Sequence, residues 1–158
     1  MLRYVNYDIV FQEIPGEVTL ALNLSNCPNR CPGCHSPYLQ NEVGDFLTEE
    51  VLSNLLVTYK GGITCICFMG GDVSPCEVQQ LAEYLRREAP ITLKVGWYSG
   101  RPQLPEDFDL QFFDYIKLGP YQQELGALKS RATNQRLYRI FDQKMIDITS
   151  CFWKKTAD

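Results

Sequence analysis

The chain has 158 residues, of which 45% are hydrophobic and 22% charged, a balance typical of one globular domain. Its 15 Lys and Arg against 19 Asp and Glu give a net charge of -4, and no basic run exceeds two residues, so nucleic acid is not an expected partner. No apolar stretch reaches the ~20 residues that cross a bilayer, and the start lacks a signal-peptide segment. We predict a single domain over residues 1–158 in a cytoplasmic protein with no membrane partner.

Alternating side chains predict two strands at the start of the chain. Residues 5–11 and 18–24 alternate between apolar and polar side chains, and Pro15 and Gly16 supply a turn between them. We expect a hairpin that leads into the sheet. The second strand runs directly towards Cys27, at the carboxyl end of a strand, where α/β folds bind ligands.

Two helices are predicted from their caps and apolar faces. The first follows Thr48, has two acidic residues in its first turn and ends at a pair of glycines. The second begins at residues 74–77, Ser-Pro-Cys-Glu, which combine a capping box with proline at the first helical position. Between the helices, the apolar run at residues 63–69 predicts a strand that flanking helices bury on both faces.

The remaining pattern continues the alternation of strands and helices. Further strands are predicted at residues 91–97, 113–118, 137–141 and 145–148. Because a complete eight-unit barrel needs about 250 residues, we predict an incomplete, open (β/α) barrel of roughly five to six parallel strands with an N-terminal hairpin extension. The loops expected to meet on one rim comprise residues 25–35, 70–72, 99–100 and 119.

Three of the seven cysteines lie within eight residues and form the most informative motif of the chain. Cys27, Cys31 and Cys34 make a C-x3-C-x2-C loop that two prolines and a glycine bend. Three soft sulfur ligands suit an iron-sulfur cluster or zinc. Structural zinc takes four ligands, and no fourth follows at a matching interval. A four-iron cluster on three cysteines would leave one iron open to a small chelating molecule.

This loop resembles the signature of the radical S-adenosylmethionine enzymes, which carry C-x3-C-x2-C after the first barrel strand. Residues 70–72, Gly-Gly-Asp, resemble the turn of that family that receives the methionine ammonium group, and glycines let the backbone approach a ligand that the carboxylate can pair with. The small size, the Pro-Gly-Cys-His-Ser-Pro-Tyr sequence around Cys34 and residues 97–100, 114–121 and 133–136 resemble the activating proteins of anaerobic ribonucleotide reductase. Most enzymes of the superfamily have an aromatic residue just before the third cysteine, where this chain has Gly33. The reductase activators share that departure.

The resemblance implies a reaction. A reduced [4Fe-4S] cluster on Cys27, Cys31 and Cys34 would cleave S-adenosylmethionine to methionine and a 5'-deoxyadenosyl radical, which would take a hydrogen atom from a glycine of the reductase catalytic subunit. A flavodoxin- or ferredoxin-type protein would donate the electron. No catalytic residue is expected beyond the cluster and its ligands. The residues expected to contact S-adenosylmethionine are Gly33, Cys34, His35, Gly70, Gly71, Asp72, Ser99 and Lys117.

Other interpretations of these residues stay open. The alternatives to the reductase activator are an activase of another glycyl radical enzyme, a radical enzyme acting on a small molecule, and a zinc-stabilised interaction module without catalysis. His35 can instead be a solvent-facing loop residue, Lys117 an ordinary strand-end lysine, and residues 134–136 either a turn or part of the partner surface. Packing or structural roles are predicted for Cys65, Cys67, Cys76, Cys151, Trp97, Phe152 and Trp153.

Overall fold

A computed structural model describes residues 1–153, which form one eight-stranded mixed sheet with two α-helices. The strands are β1 (Arg3–Val10), β2 (Thr19–Leu24), β3 (Asp45–Phe46), β4 (Cys65–Met69), β5 (Lys94–Tyr98), β6 (Tyr115–Leu118), β7 (Arg136–Phe141) and β8 (Lys144–Asp147). The helices are α1 (Glu49–Thr58) and α2 (Pro75–Glu88). Across the sheet the order is β3-β1-β2-β4-β5-β6-β7-β8, and the two edge strands do not pair with each other. Over these residues, no helix combines the length and apolar character that crossing a membrane requires.

The predicted (β/α) barrel of parallel strands is wrong. Only β2, β4, β5 and β6 run parallel, whereas β1 pairs antiparallel with β2 and β3, and β7 pairs antiparallel with β6 and β8. A two-residue turn joins β7 to β8, with Asp142 and Gln143 at φ 50° and 59°. Positive φ at both positions is the turn geometry that joins antiparallel strands. The chain therefore ends its sheet in a hairpin where a barrel needs further helices and parallel strands.

The predicted N-terminal hairpin and the first helix are confirmed, and one detail of the second helix is wrong. In α1 the hydroxyl of Thr48 accepts a hydrogen bond from Val51 N at 3.2 Å. At the start of α2, Ser74 makes no side-chain capping bond. The carboxylate of Glu77 instead accepts from Leu2 N at 2.7 Å and pairs with the terminal amine of Met1 at 3.2 Å. The expected capping box is thus replaced by a contact that fastens the start of the chain to α2.

The two faces of the sheet are covered differently. Ile66 and Phe68 of β4 belong to the larger core, which includes the buried residues of α1 and α2, while Cys65 and Cys67 belong to a smaller core on the opposite face. The prediction of helices on both faces is therefore wrong. The smaller core is completed by Ile14, Tyr115, Leu128 and Leu137, with Phe152 packed against it.

The four cysteines outside the motif have different environments. Cys65 and Cys67 are fully buried, as predicted for packing residues, and burial raises the pKa of the Cys65 thiol to about 12 and that of Cys67 well above its ordinary value. Because the thiolate is the reactive form, both are inert at neutral pH. Cys76 and Cys151 are exposed, so burial gives no support to the structural role predicted for them.

Candidate functional site

A cavity of about 590 Å³ lies on the face of the sheet that has no α-helix, at the carboxyl end of the parallel strands. Its floor includes Met69, Tyr98 and Lys117, which stand at paired positions of β4, β5 and β6 and so form one row across the sheet. The cysteine loop contributes Cys34 and His35. A volume in this range is typical of small-molecule sites.

Lys117 is the charged group on the cavity floor. It is 8% exposed, and its ammonium donates to Ser99 O at 3.0 Å and Gly119 O at 2.8 Å. Burial lowers the pKa of Lys117 to about 8, and the charges of Asp72, Cys31 and Cys27 oppose that shift in decreasing order. The site therefore presents a partly desolvated cation whose hydrogen-bond partners are neutral carbonyls, an arrangement suited to an anionic ligand group.

The cysteine loop is a tight turn in which all three thiols are partly exposed. Asn26 and Arg30 have positive φ of 61° and 45°, and Cys34 N donates to Cys31 O at 3.1 Å. Gly33 has φ 74°, and a β-carbon there would lie 2.9 Å from Gln123 Oε1. The segment between β6 and β7 thus contacts the loop, and the positive φ favours glycine before the third cysteine.

The donor set of the loop fits an iron-sulfur cluster. Across residues 1–153 no three His, Cys, Asp or Glu side chains are grouped as ligands of a single metal ion. Cys34 lines the cavity with Lys117, whereas Cys27 and Cys31 are partly exposed in the same loop and do not line the cavity. A four-iron cluster binds thiolates at separate corners, so it does not need three donors grouped around a single ion.

Asp72 connects three of the loops that follow the strands. Its Oδ1 accepts from Ser99 Oγ at 2.6 Å, and its Oδ2 accepts from Gly100 N at 2.8 Å and from the side-chain amide of Asn29. Asp72 is 6% exposed. Since a carboxylate has about four acceptor positions, this network fills three and leaves one on Oδ1.

The structure divides the residues expected to contact S-adenosylmethionine into two groups. Cys34, His35 and Lys117 line the cavity, whereas Asp72 and Ser99 form the adjoining network. The two groups meet where Ser99 O accepts from Lys117. The predicted glycines do not line the cavity, although all three have positive φ: Gly33, Gly70 and Gly71.

Several cavity residues were missed by the sequence interpretation. Tyr121 is one of them, and its ring lies 5.0 Å from that of His35. His35 itself is exposed at the edge of the cavity, as the solvent-facing alternative for this residue expects. Tyr98 can be assigned to the cavity only from its strand register beside Lys117. Its hydroxyl donates to the carbonyl of Glu13. Gln135 is 6% exposed and lines the same cavity.

Buried aromatic packing supports the turn after β4. Trp97 is fully buried, as predicted, stacks on Phe108 at 4.8 Å and donates from Nε1 to Gly70 O at 2.7 Å. The predicted docking of the tail is also present, since Trp153 Nε1 donates to Leu128 O at 3.1 Å. The turn and the tail are therefore held by specific hydrogen bonds of tryptophan.

Gly71 is expected to be intolerant of any side chain. It has φ 90°, and a β-carbon would lie 2.6 Å from Val78 Cγ2 of α2. Gly61 provides the matched control, because its φ is 79° and a β-carbon there would meet nothing within 4 Å. We expect Gly71→Ala to lower the free energy of unfolding by roughly 1–3 kcal/mol more than Gly61→Ala, the difference being the clash alone. Urea denaturation of both variants measures it, and equal losses would contradict the packing described for this turn.

No family model, curated protein or solved structure matches this chain.

Proposed function

We propose that this protein is an iron-sulfur activase that uses S-adenosylmethionine to generate a glycyl radical on the anaerobic ribonucleoside-triphosphate reductase. One observation carries the proposal: the C-x3-C-x2-C loop opens onto a cavity of about 590 Å³ whose floor contains the buried cation Lys117. Three thiolates leave one cluster iron without a protein ligand, and the cavity offers space for a chelating molecule beside it.

The residues present fit the two cofactors. Cys27, Cys31 and Cys34 would hold the [4Fe-4S] cluster, and Cys34 and Lys117 face the same cavity. A carboxylate bound there would be stabilised by the Lys117 ammonium, while the rings of Tyr98 and Tyr121 offer surfaces for an adenine base or a sulfonium.

When bound, the reduced cluster supplies the electron that cleaves S-adenosylmethionine and so provides a 5'-deoxyadenosyl radical able to take hydrogen from a glycine Cα. The chain positions and shields that chemistry. Lys117 orients an anionic ligand group from the floor of the cavity, and Asp72 retains one acceptor position for an ammonium group. Tyr98, Tyr121 and Phe152 add apolar surface beside the ligand.

The partner would reach this site past two chain segments that line the cavity. The cavity is bounded on one side by Gln12 and Glu13 of the β1–β2 connection and on the other by residues 127–129, and Lys129 Nζ donates to Gln12 Oε1 at 2.9 Å across them. An extended glycine-bearing segment of the reductase would pass between these segments when this exposed hydrogen bond opens. A flavodoxin- or ferredoxin-type donor and a reducing cytoplasmic location complete the proposal, in keeping with seven unpaired cysteines.

Anaerobic reconstitution with iron and sulfide tests the proposal. We expect about four irons and four acid-labile sulfides per chain, and formation of methionine and 5'-deoxyadenosine on reduction in the presence of S-adenosylmethionine. Mixing with the anaerobic reductase should then give the electron paramagnetic resonance signal of a glycyl radical. One zinc per chain without sulfide would contradict the enzyme assignment. Cleavage without a glycyl signal would contradict the assigned substrate and favour a small molecule.

A further inference from the structure

The Asn29 side chain contacts both the cysteine loop and the turn after β4. It lies between the first two cysteines of the loop, and its Nδ2 donates to Asp72 Oδ2 and lies 3.5 Å from Cys27 Sγ. Because an ionised carboxylate only accepts, the amide must present its nitrogen to Asp72. The two hydrogens of that nitrogen therefore serve a predicted cluster ligand and the turn after β4 at the same time.

Gly100 provides the space that this amide occupies. A β-carbon at Gly100 would lie 2.6 Å from Asn29 Nδ2 and 3.1 Å from Asn29 Cγ, but 3.4 Å from Asp72 Oδ2. The clash is thus with the Asn29 side chain, and the contact with Asp72 is tight but tolerable. The backbone amide of Gly100 donates to the same carboxylate oxygen at 2.8 Å. Loops after β2, β4 and β5 consequently meet around one amide group.

We propose that Asn29 is a positioning residue that fixes the cysteine loop against the turn at residues 70–72 and raises the reduction potential of the cluster by donating to Cys27 Sγ. This inference rests on the proposed function, since it requires a cluster on that sulfur. Gly100 is part of the same arrangement, because a β-carbon there would displace the Asn29 side-chain amide.

The effect on the potential follows from charge. Reduction adds negative charge to the cluster and its thiolates, and the positive end of an N–H dipole directed at a ligand sulfur stabilises the more negative state. Removing the donor therefore moves the midpoint potential to a more negative value. If Asn29 only stabilised the fold, its replacement would lower the stability of the protein without making the midpoint potential of the cluster more negative.

The test compares Asn29→Leu with a control asparagine. Leucine keeps the volume and removes both donor hydrogens. Asn6→Leu is the control, because Asn6 Oδ1 accepts one exposed bond from Asn23 Nδ2 at 2.6 Å on β1 and β2. In a redox titration followed by electron paramagnetic resonance, we expect Asn29→Leu to show a roughly tenfold lower ratio of reduced to oxidised cluster at the wild-type midpoint. Asn6→Leu should match the wild type.

A double-mutant cycle tests the positioning role even in protein without iron. Gly100→Ala should lower the midpoint of thermal unfolding in the wild-type chain and have little further effect in Asn29→Ala, where the clashing group is gone. After reconstitution, Gly100→Ala should also shift the cluster potential in the direction of Asn29→Leu. Equal effects of Gly100→Ala in both backgrounds would overturn the proposed positioning.

The outcomes separate this inference from the proposed function. A wild-type chain that binds no iron and sulfide overturns the proposed function and with it this inference. A loaded wild type whose potential Asn29→Leu leaves unchanged overturns the inference alone. Loss of cluster loading by folded Asn29→Leu, with Asn6→Leu fully loaded, supports the positioning role.

Discussion

Replacement of Cys31 by alanine will remove the reductive cleavage of S-adenosylmethionine, lowering the rate by more than about a hundredfold. With two thiolates left, the loop cannot hold a four-iron cluster at three corners, and iron and sulfide contents should fall together. Cys31 is partly exposed in the loop, so the substitution leaves the core intact and the apoprotein should remain folded. The measurements are iron and sulfide per chain and 5'-deoxyadenosine formed after reduction.

Cys76→Ala is the matched control for this variant. Cys76 is exposed on α2, where its sulfur accepts only a 3.7 Å contact from Gln80 Nε2. We expect its cluster content and cleavage rate to equal those of the wild type. Cleavage that persists in Cys31→Ala would show that the ligand set proposed for this loop is wrong.

Lys117→Met will change how stability depends on pH. Burial lowers the Lys117 pKa from 10.5 to about 8, which corresponds to a cost of about 3 kcal/mol while the side chain is protonated in both states. Below pH 8 this cost is fully present. Between about pH 8 and 10.5 the unfolded chain keeps a proton that the folded protein has lost, so the wild type gains stability as pH rises. Methionine has no such dependence.

The quantity to compare is the free energy of unfolding of Lys117→Met minus that of the wild type. The stability of Lys117→Met relative to wild type should fall by about 3 kcal/mol between about pH 7.5 and 10.5. Groups that do not interact with Lys117, including Cys65 with its raised pKa, titrate in both proteins and cancel. Cys27 and Cys31 do interact with Lys117, so both are replaced by serine in the two proteins that are compared. Loss of the bonds to Ser99 O and Gly119 O adds a constant offset without changing the slope.

Urea denaturation of the reduced apoprotein across this range measures the difference. Lys144→Met, on the exposed strand β8, serves as the control for the loss of one surface lysine. A flat difference for Lys117→Met would mean that the Lys117 ammonium is not desolvated on the cavity floor.

Local sequence signals predicted most of the secondary structure because they act over a few residues. The cap at Thr48, the proline at the start of α2 and the alternation in β1 and β2 each depend on neighbours in the chain. The capping box at residues 74–77 failed because a distant partner intervened. The Glu77 carboxylate binds the amine of Met1 and the backbone N–H of Leu2, and no local sequence pattern indicates that contact.

The direction of strand pairing was the main error in the predicted fold. Strands near residues 136–141 and 144–147 were predicted, but not their antiparallel pairing. The turn between them, Asp142-Gln143, lacks the glycine that usually indicates such a hairpin. The second face of the sheet was also misjudged. An apolar run such as residues 63–69 indicates burial on both faces, yet it does not distinguish a covering helix from covering loops.

The amino-acid sequence by itself determined the cysteine spacing, the glycine turn after β4 and the strands that carry both, because these are properties of adjacent residues. Tertiary structure alone decided that Met69, Tyr98 and Lys117 stand in one row, and that Asn29 reaches Asp72 in the space Gly100 leaves. Those relations depend on strand register and on contacts between loops that are far apart in the chain. Strand register and long-range contacts produce no periodic pattern in the sequence.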